Sequence, residues 1–199
     1  MRHRDFGLLV CDHHHATPGL TLFSPIHGRS TYLIGLRGDV LHQWEHPLIA
    51  GPYAYLMENG NLLWAGRLPE GPQHMGGRGG LIREYDWSGK VLWEHRHVGQ
   101  HHDFRRLPNG NTIFLAWEVV PPEIERRIPG GLPGTLHPDG CMYGDCILEV
   151  TPEGEIVWEY VSPFMGADRN GDLSNEVFRA YRYAVDSPQI GNRTRPIYG

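Results

Sequence analysis

Gly38-Asp39-Val40-Leu41-His42-Gln43-Trp44 recurs as Gly89-Lys90-Val91-Leu92-Trp93-Glu94 and again as Gly154-Glu155-Ile156-Val157-Trp158-Glu159. Each copy follows a β-like run: Thr31 to Leu36, Leu81 to Trp87, and Cys146 to Thr151. The links Arg37-Gly38, Ser88-Gly89 and Pro152-Glu153-Gly154 have hairpin chemistry, because glycine accepts backbone angles that side chains resist. A second motif alternates with the first. Met57-Glu58-Asn59-Gly60-Asn61-Leu62-Leu63-Trp64 matches Leu107-Pro108-Asn109-Gly110-Asn111-Thr112-Ile113-Phe114, and Asn-Gly between apolar runs is a strong hairpin signal. The repeating unit is therefore two hairpins, or four strands.

Its period is 51 residues from Gly38 to Gly89 and 50 from Gly60 to Gly110. Four strands at that period predict the blade of a β-propeller, with a duplicated strand sandwich as the alternative. Gly154 follows Gly89 by 65 residues. The Pro- and Gly-rich stretch 121–144 fills that gap and reads as a long loop, and no Asn-Gly flanked by apolar runs follows Tyr160. The expectation is an all-β chain: a partial or small β-propeller of four-stranded blades, with two full units and then a half unit. Within a single domain over 1–199, residues 1–18 are expected to form an N-terminal arm. Residues 161–199 are expected to form a C-terminal segment, with a short helix over Asn175 to Tyr183 and a tail.

Composition narrows the function classes. Eighteen Lys and Arg against 23 Asp and Glu give a formal charge of −5 over 199 residues. That balance gives no general attraction for nucleic acid or an anionic membrane. The three cysteines, Cys11, Cys141 and Cys146, are too few for a disulfide framework. Met1 to Asp12 holds only a short apolar run, followed by His13-His14-His15 where a secretory leader would have small residues. The expectation is a cytoplasmic protein with no membrane span. An incomplete ring of blades would leave strand edges unpaired, which predicts a homo-oligomer.

Several stretches resemble the arylsulfotransferase-like β-propeller family. They are Gly19-Leu20-Thr21-Leu22-Phe23-Ser24-Pro25, the hairpin ending at Trp44, Tyr85-Asp86-Trp87-Ser88-Gly89-Lys90, and most specifically His101-His102-Asp103-Phe104-Arg105-Arg106-Leu107-Pro108-Asn109-Gly110-Asn111. Pro122-Glu123-Ile124, Gly130-Gly131-Leu132-Pro133-Gly134-Thr135 and Asn175 to Tyr183 extend the likeness over nearly the whole chain. Family members are longer, with about six blades. Their middle carries His-containing strand ends of the type Trp-Thr-His-Gly-Asn, including the histidine that is transiently sulfated, and this chain has no such stretch. The resemblance implies sulfuryl transfer from an aryl sulfate to a phenol through a histidine, weakened by the shortened pattern. A non-catalytic binding or oligomerisation module and a hydrolase on the same scaffold are the alternatives.

The candidate site begins at His101-His102-Asp103, which opens a strand and so lies at a sheet end. By position His102 is the expected nucleophile, with His101 or His42 as the acid and Arg106 holding sulfuryl oxygens. Asp103, Arg105, Trp117, Arg179 and His42 are expected around a small aromatic sulfate or another anionic small molecule, with Trp117 the candidate for stacking on an aryl ring. His95 and His97 share a strand face and so could chelate a metal, but no Cys or carboxylate stands at ligand spacing beside them. His137 with Cys141 and Cys146 lacks a fourth zinc ligand. Asp168, Asn170 and Asp172 copy the first ligands of a calcium loop, but Leu173 and Arg179 stand where its Gly and Glu should be, leaving at most a loose Ca2+ site. No cofactor is expected.

Overall fold

A computed structural model describes residues 8, 10–12, 14–25, 28–71, 76–119, 143–161, 166–167 and 173–174. Among these residues the chain is all-β, with thirteen strands and no helix. Strands β1 (Thr21–Phe23), β2 (Ser30–Ile34) and β3 (Val40–Glu45) form one antiparallel sheet, in that order. The second sheet runs β4 (Ala50–Leu56), β5 (Leu62–Arg67), β6 (Gly80–Tyr85), β7 (Val91–Arg96). The third runs β8 (Gln100–Arg106), β9 (Thr112–Val119), β10 (Tyr143–Val150), β11 (Ile156–Val161). Strands β12 (Gly166–Ala167) and β13 (Leu173–Ser174) form a short antiparallel pair.

The two hairpin motifs alternate as the sequence predicts, but the phase of the unit differs. Each four-stranded sheet opens with an Asn-Gly hairpin and closes with a Gly-x-Val or Gly-x-Ile hairpin. The first sheet is thus partial and the third complete, and the short pair β12–β13 follows on either side of Asn170-Gly171. The extra residues between Gly89 and Gly154 fall inside the third sheet, between β9 and β10, so they interrupt a unit instead of separating two. The expected helix at Asn175 to Tyr183 and most of the loop 121–144 lie outside the described residues.

The repeat extends to backbone detail. The hairpin glycines Gly38, Gly89 and Gly154 have φ of 81°, 86° and 89°, in the left-handed region that favours glycine. Each of these hairpins carries one register shift beside the turn, at Leu33/Ile34, Glu84/Tyr85 and Glu149/Val150. Side chains repeat as well. Asn61 Nδ2 donates to Glu84 Oε1 at 2.7 Å, and Asn111 Nδ2 donates to Glu149 Oε1 at 2.6 Å. Each clamp ties an Asn-Gly hairpin to the strand that follows it.

The described chain divides into two compact units, residues 1–102 with 116–118, and residues 103–115 with 119–199. In the first, alternate residues of β5 face the first sheet: Leu62 and Trp64, with Leu68 just beyond, form a buried cluster with Leu33, Trp44, Leu81 and Tyr85. Strand alternation puts Leu63, Ala65 and Arg67 on the opposite face. The second unit buries Phe104, Ile113, Phe114, Leu115, Leu148 and Val150. No described helix is long and apolar enough to cross a membrane.

Candidate functional site

The start of β8 is held by backbone contacts within the first unit. Gln100 N donates to His97 O at 2.9 Å, which closes the short turn from β7. On one side the glycine-rich segment 76–80 lies alongside: Gly79 N donates to Gln100 O at 2.9 Å, His102 N to Gly77 O at 2.9 Å, and Arg78 bridges His101 in antiparallel fashion. Gln100 Oε1 accepts from Gly80 N at 2.9 Å. On the other side Trp117 N donates to Gly99 O at 2.8 Å.

Three rings meet there. His101 is 1% exposed and stacks on Trp117, with centroids 4.1 Å apart and planes 10° apart. His102 stands edge-on to both, at 5.0 Å from the His101 ring and 6.2 Å from Trp117. The Nδ1 atoms of the two histidines are 2.8 Å apart, so one ring donates and the other accepts. Burial pushes the pKa of His101 down to about 3, His102 adds to the shift, and a hydrogen bond with the backbone of Ala116 opposes it. His101 is therefore neutral at physiological pH. It neither carries a positive charge for an anion nor serves as a ready acid.

His102 is part-exposed and has φ 45°, the one non-glycine residue with positive φ among the described residues. A side chain held in that region stores of order 1 kcal/mol or more, and such strain clusters at functional positions. Gly77, with φ 64°, makes room for it: a Cβ there would overlap the His102 ring around Nε2.

The other expected residues separate. His42 stacks on Trp87 at 4.2 Å, meets Trp44 edge-on, and places Nε2 2.8 Å from Trp87 O. It thus braces the first sheet against the β6–β7 turn. Arg106 Nη1 donates to Gly110 O at 3.0 Å, tying its guanidinium to the hairpin turn at the far end of β8. Asp103, which is buried, and Arg105 belong with Arg106 to the second unit. Trp117 is only 6% exposed, so it positions His101 and offers little surface to an aryl ring. Arg179 and the loose Ca2+ candidates Asp168, Asn170 and Asp172 lie outside the described residues. His97 Nε2 lies 3.1 Å from Glu118 Oε1, and burial lowers the pKa of His95, with His97 contributing. Among the described residues no group of three or more His, Cys, Asp or Glu side chains is arranged to hold a metal.

Comparing the repeats shows why the second is special. At the 50-residue spacing, Gly51-Pro52 of the first repeat corresponds to His101-His102 of the second, and Gly66-Arg67 corresponds to Ala116-Trp117. The flanking strands and turns are otherwise alike, so the ring cluster is an addition to a shared scaffold. Motif reading missed Gly77, Arg78 and Arg67. The run Gly76-Gly77-Arg78-Gly79-Gly80 was the available signal.

No family model matches the chain, and no curated protein matches it. Among solved structures it is similar to a protein of unknown function from Bacteroides caccae, at 16% identity and a TM-score of 0.44, over 72% of this chain and 46% of that one. The chain thus spans about half the length of that protein.

Proposed function

We propose that the chain transfers a sulfuryl group from an aryl sulfate to a phenol, with His102 as the group that carries it between the two half-reactions. The observation that carries this reading is the 2.8 Å contact between His101 Nδ1 and His102 Nδ1. The tautomer that this reading uses has His101 Nδ1 accepting from His102 Nδ1–H. His102 Nε2 then holds the lone pair beside Gly77, as an oriented nucleophile requires. Nε2 attacks sulfur, the S–O bond to the aryl oxygen breaks, and the phenolate leaves with the electron pair. His102 becomes a sulfated imidazolium whose Nδ1–H stays on His101, because His101 is too weak a base to take the proton. An incoming phenol oxygen attacks the same sulfur, the S–N bond breaks, and neutral His102 returns. The phenol's proton passes through solvent to the departed phenolate. Because the family's middle blades have no counterpart here, turnover is expected to be slow.

The test is release of 4-nitrophenol from 4-nitrophenyl sulfate with and without added phenol. Release that needs phenol and stops in His102→Ala supports transfer. Release that ignores phenol means hydrolysis, and equal release in His102→Ala overturns the role of His102.

The second reading is assembly into a homo-oligomer. Strands β3, β7 and β11 each end a sheet, and each exposes an apolar pair: Val40 and Leu41, Val91 and Leu92, Ile156 and Val157. Open edges with apolar side chains favour pairing with another copy. Light scattering at a mass above the 22.6 kDa monomer is expected, and a monodisperse monomer contradicts it.

A further inference from the structure

We infer that Arg67 is an oxyanion-binding residue, and that it takes a tetrahedral oxyanion such as sulfate or phosphate beside the glycine-rich segment 76–80. Arg67 ends β5 on the face shared with Leu63 and Ala65, opposite the Trp64 face that packs on the first sheet. It is part-buried, and its Nε is enclosed with no hydrogen-bond partner. No carboxylate pairs with it among the described residues. A guanidinium is costly to remove from water without an acceptor, and its five fixed donors match the spacing of oxygens on a sulfate or phosphate. A part-buried, unmatched guanidinium is therefore complemented best by an anion supplied from outside.

The surroundings suit such a guest. Arg67 is in register with Gly80, and Leu68 N donates to Gly79 O at 2.8 Å. That same segment reaches the histidine pair on its other edge, through Gly79 N to Gln100 O and His102 N to Gly77 O. Two strand spacings across and two to three residues along, roughly 12–14 Å in all, separate the backbone of Arg67 from that of the pair, a gap that a long side chain and a bound oxyanion together can span. The backbone between them is nearly bare of side chains. The second repeat puts Trp117 at the position equivalent to Arg67, so the cation is peculiar to the first.

The inference deepens the sulfuryl-transfer reading but does not need it, since a site for free sulfate or phosphate would look the same. The experiment is arginine-specific modification of the full-length chain by phenylglyoxal, with the modified peptides mapped by mass. Three arms hold ionic strength constant with chloride: inorganic sulfate, inorganic phosphate, and 4-nitrophenyl sulfate. Protection of Arg67 by at least one oxyanion is expected. Protection by the ester alone identifies an aryl-sulfate subsite, and protection by the free ions identifies a general oxyanion site. No protection of Arg67 in any arm overturns the inference. Calorimetric titration of Arg67→Gln should show affinity for the protecting ion weaker by roughly tenfold or more, whereas unchanged affinity in a folded variant overturns it. These readouts do not involve His102 chemistry, so the two proposals can fail separately.

Discussion

His101 Nδ1 and His102 Nδ1 lie 2.8 Å apart, and the two rings they belong to are held in opposite ways. His101 is buried, stacked and neutral. His102 is part-exposed, on a left-handed backbone that is uncommon for any residue but glycine. The first ring is supported by packing and the second is strained by it. That pairing is expected where a reactive group is oriented at the expense of stability.

His102→Asn tests that trade. Asparagine tolerates positive φ and keeps a donor for His101. The variant should gain about 0.5–1 kcal/mol in denaturant melts while losing all sulfuryl transfer. A clear loss of stability would mean that the imidazole is there to pack.

Gly77→Ala and Gly60→Ala separate strain from crowding. Both glycines have positive φ, 64° and 81°, but a Cβ at Gly60 meets nothing within 4 Å while one at Gly77 overlaps the His102 ring. Gly60→Ala should cost about 1 kcal/mol. Gly77→Ala should cost roughly twice that or more, and should displace His102 enough to remove activity. Equal costs measured by urea unfolding would contradict the packing described here.

Much of this was legible in the sequence because hairpins are local. Gly38, Gly89 and Gly154, and the Asn-Gly pairs at Gly60 and Gly110, specify turns through their own backbone preferences, so the strands and their repeat could be read directly. The phase of the sheets could not, because it depends on which hairpin pairs with which. Nothing local tells that the residues between β9 and β10 interrupt a sheet instead of dividing two. The site was half legible. His101, His102 and Trp117 converge, as a sheet-end position suggested. Arg106 looked close by number, but it belongs to the second unit, where its guanidinium turns to Gly110. Gly77 and Arg78 meet the pair through backbone pairing, a tertiary contact with no trace in spacing.

Acid should unfold the protein through its buried histidines. Burial, with Arg83 adding to it, pushes the pKa of His46 down to about 4, and His101 sits at about 3. Both are below the unfolded value of about 6.5, so between those limits the unfolded chain binds more protons. Stability is complete above pH 6.5 or so and falls as pH drops toward 4 and 3. His46 stacks on Trp64 at 4.1 Å and bonds Thr31 Oγ1 through Nε2 at 2.8 Å, so His46→Gln should cost stability at pH 7 yet flatten the slope between pH 6 and 4. An unchanged slope in urea melts across that range would contradict the burial of His46.

The two asparagine clamps should differ in strength. Glu149 is 5% exposed, whereas Glu84 is only part-buried. Removing the donor from the more buried carboxylate leaves the larger desolvation cost. Asn111→Ala should therefore destabilise by about 2–3 kcal/mol and Asn61→Ala by about 1 kcal/mol or less. The reverse order would mean that burial of the carboxylate does not set the cost of losing its asparagine donor.

The most direct measurement is a peptide mass map of the protein mixed with 4-nitrophenyl sulfate and no phenol, then quenched in alkali. The account predicts a mass gain of one SO3 on the peptide that holds His102, absent in His102→Ala and discharged when phenol is added. An unmodified His102 while 4-nitrophenol is released, or the SO3 group on any other residue, would contradict it.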